Sequence, residues 1–98
     1  MRVVAVGGKA FVTGFALSGA IGEYVDSSSA ALEKIQKLIK DPNVGLIVIS
    51  DEIARPIKDE ILAIKTKMAI PLIYEVPGPG SRLEKVEYRA MLRTMLGV

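Results

Sequence analysis

Val44-Gly45-Leu46-Ile47-Val48-Ile49-Ser50 carries apolar side chains on both parities of a β-strand, and that constrains the chain more than any other feature. Successive side chains of a strand point to opposite faces, so a strand without alternation has no face for water. It needs helices above and below it, as in the middle of a parallel sheet. Val3-Val4-Ala5-Val6, closed by Gly7-Gly8, repeats the pattern near the N-terminus. Two such strands define a sheet interior.

The segments between and after them alternate. Thr13 is placed to cap or begin a helix whose small face (Ala16, Gly19, Ala20) packs closely on a sheet. Glu23-Tyr24-Val25-Asp26 predicts a short strand at a sheet edge. Ser27-Ser28-Ser29 supplies the next helix cap, and Leu32, Ile35, Leu38 and Ile39 recur at helical spacing until Asp41-Pro42-Asn43 stops the helix. After the apolar run, Asp51 is read as the N-cap of a third helix. Pro56 offsets the first turn, Glu52 to Arg55, from a body reaching about Lys67 through Ile57, Ile61 and Ile64. Leu72-Ile73-Tyr74-Glu75-Val76 predicts a fourth strand, and Pro71 at its start suits an edge. Such alternation implies right-handed crossovers and helices on both faces. The expected fold is therefore α/β: a four-stranded parallel sheet in the order 2-1-3-4, flanked by helices, with the strands near Val4 and Ile47 central.

Val76-Pro77-Gly78-Pro79-Gly80-Ser81 then breaks the pattern, because two prolines fix φ and remove donors while two glycines loosen what lies between. The expected organisation is a Rossmann-like or flavodoxin-like domain over 1–76, a hinge over 77–81, and one amphipathic helix over 82–98. In that last segment Tyr88, Met91, Leu92 and Met95 fall at i, i+3, i+4 and i+7, with Arg82, Lys85, Arg89 and Arg93 largely off the stripe. The stripe has two uses. It can dock on its own sheet, or it can lie on another protein, for which flexible methionines are well suited.

Charge and composition narrow the chemistry. Residues 1–78 hold nine Lys/Arg and nine Asp/Glu, so the whole net charge of +2 resides in the final segment. With no basic stripe, nucleic acid is not an expected partner. The chain has neither cysteine nor histidine, which removes the commonest nucleophile–base pairs and the commonest metal ligand. No apolar run approaches the ~18 residues of a membrane span, and the N-terminus lacks a signal-peptide pattern, so a cytoplasmic location is expected.

Ligands of open parallel sheets sit at the carboxyl ends of the strands. Those ends carry Gly7-Gly8-Lys9, Asp26, Ser50-Asp51-Glu52 and Glu75. Gly7, Gly8 and Gly14 match neither phosphate-binding glycine pattern. Asp51 stands about where a phospho-accepting aspartate would, but Lys9 follows the first strand where a Mg²⁺-binding acid pair is needed. Asp51-Glu52 and Asp59-Glu60 are adjacent pairs, which splay on a helix and suit solvent. No catalytic residue, cofactor or metal is expected. Two rivals stay open: a receiver-like or ligand-binding α/β module resting on Asp51 and Glu75, and a self-associating scaffold.

Four stretches in order resemble the F subunit of archaeal-type and vacuolar-type rotary ATPases. They are Val6 to Gly19 (VGGKAFVTGFALSG), Ile49-Ser50-Asp51-Glu52-Ile53-Ala54, Ile70 to Pro77 (IPLIYEVP), and Leu92-Arg93-Thr94-Met95-Leu96-Gly97. Gly8 and Ala10 replace two early acids of that family. The resemblance implies a non-catalytic central-stalk component, peripheral to the membrane but not inserted in it. Its α/β domain would bind a coiled-coil axle, the D subunit of the central stalk. Its C-terminal helix would rise toward the catalytic A/B hexamer and help couple ATP turnover to rotation and ion transport. Tyr88, Met91, Leu92 and Met95 would then be apolar contacts, with Arg82, Arg89 and Arg93 as charges around them.

Overall fold

The two apolar runs become the two central strands. The computed structural model describes residues 2–78 and 93–94. In it, β1 (Arg2–Gly7) pairs in parallel with β3 (Val44–Ser50), with Val4 opposite Ile47 and Val6 opposite Ile49. β2 (Ile21–Tyr24) flanks β1, and β4 (Leu72–Val76) flanks β3. The order is 2-1-3-4, all parallel, as expected from the sequence. Every residue of β3 except Leu46 is buried, the arrangement that suits a strand with no polar side.

The helices are α1 (Lys9–Ala16), α2 (Ser28–Leu38), α3 (Asp51–Ala54) and α4 (Lys58–Lys67), with a 3₁₀ turn at Arg55–Ile57 joining the last two. That turn lies at Pro56, where a continuous α-helix would lose a donor. At the start of α2, Ser27 is extended and its hydroxyl accepts from the Ala30 amide at 3.1 Å. Ser27→Ala is expected to cost about 1 kcal/mol, read from the shift in a urea midpoint, because it strands that amide.

Among the described residues, the two faces of the sheet are covered unequally. On one, Val4, Val6, Ile47, Ile49 and Ile73 lie beneath Ala31 and Ile35 of α2, Ala54 of α3, Ile57 of the 3₁₀ turn and Ile61 of α4, in one buried cluster. On the other, Ala5, Val48 and Val76 pack under Phe11 and Phe15 of α1. Those two rings lie 4.9 Å apart at 46°.

Two local expectations are corrected. The first helix begins at Lys9, not Thr13, after an extended Gly8; Thr13 is an exposed residue inside it. Its packing face is Phe11 and Phe15, one turn apart, because two aromatic rings bury far more area than Ala16, Gly19 and Ala20. Ala16 is the last helical residue and exposed, and Gly19 turns the chain with φ +97, which glycine adopts without strain. The edge strand runs over Ile21–Tyr24, two residues earlier than expected, and Val25 is instead a core residue. Residues 79–81 and the expected helix over 82–98 lie outside the described residues, save Arg93 and Thr94.

Candidate interaction surface

The carboxyl ends of the strands meet at Gly7 and Ser50, where β1 and β3 part toward opposite sides of the sheet. This is the switch point at which an open α/β sheet takes a ligand. Here it is filled by the chain itself. A Cβ on Gly7 would stand 2.7 Å from Phe11 Cδ2 and 3.2 Å from Ser50 Oγ, so the ring of Phe11 and the Ser50 side chain occupy the space beside it. Ser50 is buried.

Asp51 is corrected as well. Ser50, extended, precedes α3 directly, so Asp51 is the first helical residue and caps nothing. Its Oδ1 accepts the Gly78 N–H at 3.3 Å. A helix cap is a local bond, and this partner lies 27 residues away in sequence. Lys9 is exposed after β1, at the position where the phospho-acceptor reading needs an acid pair. Glu52, Asp59, Glu60 and Glu75 are exposed, as solvated charges are. Among the described residues, no three acidic side chains gather as a metal-ligand set would.

The described surface offers a different feature. α1 packs over β1 and β2; a Cβ on Gly22 of β2 would lie 3.3 Å from Val12 Cβ. Among the described residues, the β3–β4 half of the same face has thinner cover. Register places Leu46 beside Leu72, and Val48 beside Tyr74. Val76 is 1% exposed, but Leu72 is 51% exposed and Tyr74 49%. Leu46 is half-buried between them and the core. The result is an apolar strip on an edge strand, the sort of surface that soluble proteins keep for partners.

Of the candidate contact residues, Arg93 is described and exposed. Arg82, Tyr88, Arg89, Met91, Leu92 and Met95 lie outside the described residues. The strip on β4 was missed by pattern reasoning, although the alternation of Leu72 and Tyr74 with Ile73 carried the signal. No described helix is long and apolar enough to cross a membrane.

Comparison with known proteins agrees across nearly the whole chain. The family model described as "ATP synthase (F/14-kDa) subunit" matches residues 3–92. The A-type ATP synthase F subunit of Methanocaldococcus jannaschii is 31% identical over 100 residues, covering 100% of this chain and 97% of the relative. The F subunit of Methanococcus maripaludis strain S2 is 33% identical over 102 residues, with the same coverage of both chains. That of Pyrococcus abyssi is 30% identical over 104 residues, covering 100% of this chain and 96% of the relative.

Proposed function

The chain belongs to the ATP synthase (F/14-kDa) subunit family, and from that premise we propose that it works as a non-catalytic rotor component of an A-type ATP synthase. It is similar over its full length to the F subunit of that complex, so ATP synthesis and ion transport are the processes it serves. In this reading the α/β domain binds the coiled-coil axle, the D subunit. The C-terminal segment extends toward the catalytic A/B hexamer, with Tyr88, Met91, Leu92 and Met95 as apolar contacts and Arg82, Arg89 and Arg93 setting encounter and register. The protein sits on the cytoplasmic side, peripheral to the membrane, through its place in the complex.

One observation carries the reading: the similarity runs through the domain and into the final segment, to residue 92, rather than stopping at the sheet. The apolar strip of Leu46, Leu72 and Tyr74 suits it, since one helix of an axle needs a narrow apolar surface rather than a pocket.

The D subunit, purified as a soluble coiled coil, should form a one-to-one complex with the full-length chain. Tyr74→Asp should weaken that complex by about tenfold or more while leaving the thermal midpoint of the free chain within a few degrees, as removal of an aromatic interface anchor does. Absence of a complex with the unmodified chain, by calorimetry and co-purification, would reject the assignment to the stalk.

A further inference from the structure

We infer that Asp51 is a positioning residue: it holds the root of the C-terminal segment over the end of β3, so that any pivot of that segment lies beyond Gly78. The role assigned to the segment rests on the function proposed above; the seat itself is a property of the free chain.

β4 is an edge strand, and a chain leaving an edge is ordinarily free to turn into solvent. This one turns inward. Pro77 is half-buried and Gly78 is buried. A Cβ on Gly78 would lie 3.8 Å from Ser50 Cβ and 3.9 Å from Asp51 Oδ1. Within two residues the backbone has moved from the end of β4 to the end of β3, its inner neighbour.

The chemistry of Pro77-Gly78-Pro79 leaves one backbone donor to place. Neither proline has an N–H, so the Gly78 amide is the only backbone donor that the three residues possess. Asp51 accepts it at 3.3 Å, and a carboxylate is the strongest acceptor a side chain can offer an amide. Proline fixes φ at 77 and at 79, and a residue before proline is held away from helical geometry. Through Gly78 the backbone is therefore stiff, and its direction there is set where it is tied. Removing the acceptor leaves a half-buried amide unpaired and the direction unset. Ser50 completes the seat sterically, with its Cβ beneath Gly78.

The test uses the full-length chain with two readouts. The first is amide exchange at Gly78. It should be slow in the unmodified protein, about tenfold or more faster in Asp51→Ala, and restored in Asp51→Asn, whose carbonyl oxygen still accepts. Exchange at Val48 and Ile49 should not change, which separates loss of the tie from loss of the fold. The second readout is the distance between nitroxide labels on Leu62→Cys and Arg93→Cys. Both positions are exposed and the chain has no other cysteine. Its distribution should broaden in the Asp51→Ala background and recover in Asp51→Asn. A Gly78 amide exchanging at the rate of a free peptide in the unmodified protein, or an Asp51→Ala variant that alters neither readout, would overturn the inference. Failure to bind the D subunit with Gly78 still protected would instead strike the proposed function alone.

Discussion

Phe15→Ala is expected to lower the unfolding free energy by about 3–5 kcal/mol, among the largest effects of a single substitution in the described residues. Phe15 is fully buried, with 0% exposure, and packs with Phe11 against Ala5, Val48 and Val76. That face of the sheet has one described helix over it, and Phe11 and Phe15 are its only buried residues. Truncating one ring leaves a cavity that the other cannot fill, since Phe11 is held against Gly7. Domains of this size retain a net stability of roughly 5–15 kcal/mol, so the variant should lose a large share of it. Leu17→Ala is the matched control. Leu17 immediately follows the same helix but is 86% exposed, and its loss should stay within about 0.5 kcal/mol. Urea unfolding of both variants decides the matter; equal costs would show that α1 does not anchor its face.

On the role proposed for the C-terminal segment, Leu92→Asp is expected to have the second large effect, in the assembled complex rather than in the free chain. Leu92 lies at the middle of the stripe formed with Tyr88, Met91 and Met95. Burying a leucine against a partner is worth about 1.5–3 kcal/mol, so replacing it with a carboxylate should weaken the segment's engagement by about 10- to 100-fold. The melting of the α/β domain should not change. In vesicles carrying the reconstituted enzyme, ions moved per ATP hydrolysed should fall, while hydrolysis itself continues. Arg89→Ala and Arg93→Ala should act differently, altering the salt dependence of association more than its strength. An unchanged ratio of transport to hydrolysis in Leu92→Asp would remove the stripe from the coupling mechanism.

The parts of the fold that were legible share one property: their physical cause is local. Val44 to Ser50 and Val3 to Val6 lack alternation, and burial on both faces follows for β1 and β3. Ser27 caps its own helix three residues on, and Pro56 offsets a turn at its own position. The errors arose where two local signals competed. Thr13 resembled a cap, but Gly8 starts the helix without any side-chain bond, and the pair of rings at Phe11 and Phe15 set its inward face. Asp51 had the composition of a cap, one position too late.

By itself the chain's pattern of apolar runs and breaks determined a parallel four-stranded sheet and its strand order, and its composition the absence of cysteine and histidine. The tertiary structure alone decided that Gly78 is tied to Asp51, that Phe11 and Ser50 fill the space beside Gly7 at the switch point, and that Leu72 and Tyr74 stand half exposed on the edge strand. The reason is distance along the chain. Hydrophobic periodicity and capping act within a few residues, whereas the approaches of Ser50 to Gly7 and of Asp51 to Gly78 join residues that only the pairing of β1, β3 and β4 brings together.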